Sequence, residues 1–499
     1  MHYLRNFYLV LLFFLILAGA FYRLKGISTN HSFWSDEAYI SSFAREILSG
    51  KNIFRNLQNL QYQQLQVLIT TASFKSIGTT EFGARFPSVL FGTIGILFAY
   101  LLTSSLSNRE GGLLTAFLYS FLQINLANST QAKPYALLQT LSLIVIYLIV
   151  RLNIHRRSRL LHLAILLVCT ISSLVHSLGI LIWMPYIIYS AITYKKDIGN
   201  MFTSKRIIFM VMGILAAIFV FQVPHLIGSF FSRGMTLFPY NQITYLRELL
   251  WRNYAFITLP AIVGCLICLS RHRLLTYSVM SFVFVYLYLW NFHSYSHNIR
   301  YLLPVFGILI VYFGVFWARV GETLLDKKSG ILCLLIAILL YAGGYKLVRK
   351  PATYYSPNAD LYGDVQNADY KSMYEKIKQK YPHTDSYVIY NDGPDTQLWY
   401  LNGRAPDGTF LKSYVANIPY GQTKNHDATG KPIYTSVSQF ESVIKNNPKG
   451  MIIVEDWESY LPDEIKIYAK QHLKFEFRIE GLPQAQGDNW PLEVYTWGL

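Results

Sequence analysis

The sequence predicts a polytopic all-α membrane domain followed by a soluble C-terminal α/β domain, and three observations carry that prediction. Of the 499 residues, 53% are apolar and 14% charged, against about 25% charged in an average soluble domain. Uncharged apolar runs of bilayer length recur from the N-terminus to about residue 348. Charge then changes sign along the chain. The first 350 residues hold 30 Lys/Arg and 9 Asp/Glu, whereas residues 351–499 hold 14 and 19. This divides the chain into a membrane domain, 1–350, and a soluble domain, 351–499.

Taken in order, the first apolar run, 7–22, lacks a small-residue cleavage site and reads as a retained helix rather than a removed signal. Basic loops mark the cytoplasmic side. They are Arg151 with Arg156, Arg157 and Arg159; Lys195, Lys196, Lys205 and Arg206; Arg271 and Arg273; and Arg319 with Lys327 and Lys328. Between and around them, spans are expected at 85–104, 112–128, 134–150, 159–175, 178–194, 207–226, 255–270, 274–291, 299–318 and 329–347. The run 61–77 is short for ~30 Å of hydrocarbon and carries Gln63, Gln64, Gln66 and Lys75, so it is expected to lie along the outer surface. This gives about 11 spans in a plasma or inner membrane, with the C-terminal domain extracytoplasmic. The net charge of +16 sits mostly in these short loops, where it orients helices, and nucleic-acid binding is not expected.

In the tail, helical periodicity is expected over 368–380, 439–445 and 461–472. Strands are expected over 386–391, 451–454, 474–480 and 492–497, with turns at Asn391-Asp392-Gly393 and Asn402-Gly403. All four cysteines, Cys169, Cys265, Cys268 and Cys333, fall inside apolar runs, which favours buried structural roles.

The first 350 residues contain only nine carboxylates, and the topology places Asp36 as the sole aspartate on the outer face. It lies with Glu37 in Phe33-Trp34-Ser35-Asp36-Glu37-Ala38, just after the first span. An acid beside hydrocarbon is costly and invites a chemical role. The other explanation is helix capping by Ser35 or Asp36, with acids favoured in a first turn. Spacing alone leaves both open.

That motif, followed by an amphipathic segment, resembles the first-loop motif of GT-C membrane glycosyltransferases. The nearest branch is similar to glycosyltransferase family 39, with protein O-mannosyltransferases and lipid A aminoarabinose transferases. Glu81-Phe82-Gly83-Ala84-Arg85-Phe86-Pro87-Ser88, Gln131-Ala132-Lys133-Pro134-Tyr135 and Asn298-Ile299-Arg300-Tyr301-Leu302-Leu303-Pro304 follow in the family's order and spacing. Two departures stand out. Tyr62-Gln63-Gln64-Leu65 replaces a His-Pro-Pro-Leu-like run, and Gln131 and Lys133 replace an acid and an arginine.

The resemblance implies a sugar transferase with a polyprenyl-phosphate donor and a lipid, glycan or protein acceptor. In that scheme Asp36, with Glu37 beside it, supplies the base for an inverting transfer. Lys133, Arg300 and Arg85 would clamp the donor phosphate, with Tyr135 and Tyr301 in the same motifs and His176 and His293 as hydrogen-bond donors. Snorkelling to headgroups is the alternative for Lys133 and Arg300, and a satisfied helix-end histidine is the alternative for the two His. No cofactor is called for, and a divalent metal on His293, His297 and Asp36 is not favoured. A secondary transporter and a lipid-linked glycan ligase or polymerase are the rival classes. The first would carry internal repeats, and none is visible.

Overall fold

The computed structural model describes residues 2–27, 32–51, 63–155, 158–194, 241, 243–293, 299–325, 329–356, 368–416, 424–426, 429–455, 460–481 and 490–499. The expected span at 207–226 and His297 lie outside the described residues. The chain forms two compact units: Met1–Lys25, Tyr62–Gln66 and Arg85–Gly363 make one, and Gly26–Gln61, Val67–Ala84 and Asp364–Leu499 make the other. The tail therefore shares its unit with the first outer loop and most of the 61–77 segment, which the sequence alone groups with the membrane domain.

The first unit is helical. Five described helices are long and apolar enough to cross a membrane: Asn6–Leu24, Glu81–Leu106, Tyr135–Ile154, Arg273–Phe292 and Ile299–Leu325. Ala255–Arg271 follows Arg247–Asn253 across a 94° bend, and Arg159–Val175, Ser177–Thr193 and Ser329–Gly343 are shorter apolar helices. Leu160, Leu163 and Leu167 on one helix, and Leu334, Leu335, Ile338 and Leu339 on another, are exposed. Outward-facing aliphatic rows of this kind suit a lipid solvent. Elsewhere small residues let backbones meet: a Cβ on Gly264 would lie 2.1 Å from the Tyr312 carbonyl oxygen.

One expected span is broken. The run 112–128 divides into Arg109–Phe121 and Gln123–Ser129 around an extended Leu122. A break in apolar surroundings frees polar backbone groups that must be satisfied inside the protein. Here Arg23, wholly buried, donates to the carbonyls of Gly19, Tyr119 and Ser120. The chain after the last helix closes the rest: Gln123 N–H donates to the Lys346 carbonyl, and Val348 N–H to that of Phe121.

In the second unit a seven-stranded sheet runs β3-β4-β2-β1-β5-β7-β6, with β1 Val388–Asn391, β2 Gly408–Phe410, β3 Lys424–Asn425, β4 Pro432–Tyr434, β5 Gly450–Glu455, β6 Lys474–Ile479 and β7 Leu492–Trp497. β1, β2, β4 and β5 pair in parallel, and β3, β6 and β7 add antiparallel edges. β5 is buried along its whole length, as its unbroken apolar run predicts. Tyr390, Phe410, Phe440, Ile452, Val454, Leu461 and Ile465 form the core between the sheet and the helices Val437–Asn446 and Asp463–His472. The four cysteines are buried and unpaired by disulfides.

Candidate active site

The first-loop motif begins a helix, Ser35–Leu48, whose cap position falls on Trp34. Asp36 is therefore the second residue of the helix and not its cap. The capping acid is Glu37: wholly buried, it accepts from the Trp34 N–H at 3.3 Å. Asp36 itself is half-buried. The two acids, adjacent in sequence, thus face different surroundings, as a 100° step on a helix requires.

Around Asp36 the motif is tied residue by residue to the C-terminal part of its unit. Ser32 Oγ donates to the Ala368 carbonyl at 2.5 Å and accepts from Tyr370 N–H at 3.1 Å. Phe33 N–H donates to Tyr400 Oη at 2.7 Å, and its ring packs against Trp399 at 5.0 Å. Trp34 meets Trp490 edge to face at 4.9 Å. Ser35 Oγ donates to Asp395 Oδ2 at 3.1 Å. Tyr400 Oη in turn donates to Glu81 Oε1 at 2.8 Å, so one phenol joins the first-loop motif to the acid that opens the second. Lys371 sits 3.7 Å from the same carboxylate.

The helix that supplies Asp395 and Tyr400, Pro394–Tyr400, is held at its far end by cations. Arg45 donates to the Leu398 and Trp399 carbonyls and stacks over the Trp399 ring, and Lys378 donates to the Tyr400 carbonyl. Arg45, Glu81, Lys371, Trp399 and Tyr400 line a cleft of about 330 Å³ in this unit.

The other expected site residues belong to the first unit, where three chain segments converge. Tyr135 opens the helix Tyr135–Ile154, His176 lies between Arg159–Val175 and a 3-10 turn at Ser177–Ile182, and Arg300 and Tyr301 occupy the 3-10 turn Ile299–Leu302. Their rings form a triangle: Tyr135 to His176 5.7 Å, Tyr135 to Tyr301 5.3 Å, His176 to Tyr301 5.8 Å. The Arg300 guanidinium stacks over both tyrosines, at 5.3 and 5.5 Å.

His176 Nδ1 accepts from the Leu178 N–H at 3.1 Å, which leaves Nε2 to carry the ring proton. Burial, and then the charge of Arg300, push its pKa down to about 4, so the imidazole is neutral at pH 7 and offers one N–H.

Arg85 and Lys133 are buried in the same unit. Ser88, one turn after Arg85, donates its hydroxyl to the Lys133 carbonyl at 3.0 Å, joining the second and third motifs. His293 ends the helix Arg273–His293, and its side chain lies outside the described residues. Among the described residues no three His, Cys, Asp or Glu side chains gather as a metal site would require.

Sequence reasoning did not place Asp395, Tyr400 or Trp490 with the first-loop motif. One signal was present: Pro394 followed by Asp395 after a glycine is a helix start, with Pro in the first turn and an acid at the positive end.

The fold and part of the sequence have counterparts among known proteins. A family model for dolichyl-phosphate-mannose-protein mannosyltransferase matches residues 66–227. More particularly, the fold is like that of ArnT from Cupriavidus metallidurans. The apo structure of that protein aligns at a TM-score of 0.63 and 14% identity over 99% of this chain and 98% of that one. Its complex with undecaprenyl phosphate aligns at 0.62 and 14%, over 98% and 97%. The Archaeoglobus fulgidus oligosaccharyltransferase AglB, solved with an inhibitory peptide and a dolichol-phosphate, aligns at 0.55 and 10%, over 91% of this chain and 70% of that one. No curated protein sequence matches the chain. The chain thus resembles the family-39 and ArnT kind of GT-C glycosyltransferase, an integral membrane protein with several apolar helices and a small C-terminal sheet.

Proposed function

We propose that this protein transfers a sugar from a polyprenyl-phosphate donor to an acceptor hydroxyl on the extracytoplasmic face of the membrane, with inversion at the anomeric carbon. The observation that carries the proposal is the convergence of Tyr135, His176, Arg300 and Tyr301 from three distant segments into one cationic, aromatic cluster. A neutral imidazole N–H and a stacked guanidinium suit a phosphate ester, because both donate hydrogen bonds and one supplies charge. The structural neighbours were solved with undecaprenyl phosphate and with a dolichol-phosphate bound, which supports the same donor class here.

In the proposed reaction Asp36 accepts the acceptor's hydroxyl proton as its oxygen attacks the anomeric carbon. The bond from that carbon to the phosphate oxygen breaks, and the phosphate leaves with the electron pair. Arg300, Lys133 and Arg85 offset the charge that develops on it, and His176 donates from Nε2. Glu37 acts indirectly, by fixing the helix start through Trp34. The scheme calls on no metal. The soluble domain of 351–499 lies on the same outer face in this proposal and supports the first loop.

Cells lacking the chain test the proposal: a polyprenyl-phosphate sugar should accumulate and disappear again when the wild-type chain is restored. An unchanged lipid-linked sugar pool would remove the donor assignment.

A further inference from the structure

The two helices that begin beside each other in the second unit, Ser35–Leu48 and Pro394–Tyr400, each carry an aspartate in the first turn. We propose that Asp395 is a positioning residue for the transfer reaction: it anchors the start of the Asp36 helix through Ser35 and sets a second carboxyl beside Asp36. The inference rests on the reading of Asp36 as the base and adds a role for the C-terminal part of the chain.

Two points of geometry and one of charge support it. Asp395 Oδ2 accepts from Ser35 Oγ at 3.1 Å, immediately before Asp36. Asp395 Oδ1 is buried and has no hydrogen-bond partner. An acid that served only as a brace for Ser35 would do better as an amide or hydroxyl, because burying an unpaired carboxylate oxygen is costly.

The third point is electrostatic: Asp36 is the charge that acts on Asp395, after burial and the Ser35 hydrogen bond. Several nearby charged groups have partners of their own. Glu37 accepts from Trp34 N–H, Arg45 and Lys378 cap the far end of the helix, and Lys371 pairs with Glu81. Asp392, just before the helix, accepts from Leu461 N–H.

Burial, with the Asp36 charge adding to it and the Ser35 hydroxyl opposing it, raises the Asp395 pKa to about 7. Below that pH Asp395 is neutral and Asp36 stands as a single negative charge. Above it, both are ionised, and the second charge makes Asp36 a stronger base. Transfer should therefore rise through a step near pH 7.

The test uses the full chain in lipid nanodiscs and two readouts. The first is infrared titration of protonated carboxyls, which needs no substrate. A band with a midpoint near 7 should vanish in Asp395→Asn, move to lower pH in Asp36→Asn, and move to higher pH in Ser35→Ala. The second is transfer, with the lipid extracted from cells lacking the chain as donor. Asp395→Asn should lose the step near pH 7 and about threefold to tenfold in kcat above it, at unchanged KM for donor, as expected for a base weakened by up to about one pKa unit.

A midpoint unmoved by Asp36→Asn would overturn the inference and leave the role of Asp36 intact. A shifted midpoint with full activity in Asp36→Asn would instead overturn the base assignment. Should Asp395→Asn fail to fold, Ser35→Ala carries both readouts, and an unchanged band and pH profile there would equally overturn the inference.

Discussion

Tyr400→Phe removes one oxygen and should loosen the whole first-loop motif. The phenol accepts from Phe33 N–H at 2.7 Å and donates to Glu81 at 2.8 Å, with Phe33 wholly buried and Glu81 and Tyr400 nearly so. Without it, a buried N–H loses this acceptor and a buried carboxylate loses this donor. Each loss costs about 1–3 kcal/mol, the upper part of that range applying to a charged group. Lys371, at 3.7 Å, recovers part of the Glu81 loss.

A net cost of about 2–4 kcal/mol follows, close to the opening free energy of a local unit. Hydrogen exchange on the purified chain should therefore quicken about 30-fold to 1000-fold over residues 33–47, with little change in the helix Tyr135–Ile154. Transfer should fall with it, because Asp36 sits on the loosened turn. Exchange over 33–47 equal to wild type would refute the claim that Tyr400 organises the motif.

Three further outcomes follow. Burial and Asp392 hold the Glu455 carboxyl well above the usual range, while Tyr370 and Trp490 donate to it. The folded chain thus keeps a proton that the unfolded chain releases, and stability falls as pH rises from the unfolded value toward the raised folded one. Glu455→Gln should flatten that decline in thermal unfolding scans, whereas an unchanged slope would contradict it. Arg300→Lys keeps charge but loses the planar stack on Tyr135 and Tyr301, so the donor KM should rise about tenfold with kcat less affected; equal KM in a donor titration would remove Arg300 from the site. Single cysteines at Gln58, Thr79 and Asn358 should react with an impermeant thiol reagent from outside and one at Gly112 should not, and labelling of Gln58 and Thr79 from opposite sides would overturn the surface position of 61–77.

The tail was legible where its periodicity was strong. The strands Gly450–Glu455 and Leu492–Trp497 and the helix Tyr370–Lys380 fall within two residues of expectation. The short strands Gly408–Phe410 and Pro432–Tyr434 were not legible, because three residues carry no period and their pairing is long-range. Among the helices, Glu81–Leu106 and Tyr135–Ile154 match their apolar runs, but the break at Leu122 does not show in the sequence. It depends on Arg23, about a hundred residues away, to hold the freed carbonyls.

For the site, Tyr135, His176, Arg300 and Tyr301 were singled out and lie together. The partners of the first loop were not foreseen: a hydrogen bond from Ser35 to Asp395 spans 360 positions, and no local pattern announces it. Glu37 shows the converse. Expected beside Asp36 in the catalytic motif, it also caps the helix through the Trp34 N–H, a contact the motif does not announce.

The central claim is that Asp36 removes the acceptor proton, and Asp36→Asn tests it most directly. The amide keeps the size of the side chain and removes its basicity. Transfer should be measured in nanodiscs with the donor lipid that accumulates without the chain, alongside Glu37→Gln as the control for helix capping. Asp36→Asn should lose at least ~10²-fold in kcat, the low end for a positioned general base, at wild-type thermal stability, whereas Glu37→Gln should lose stability first and activity less. Turnover within a few-fold of wild type for Asp36→Asn would contradict the account.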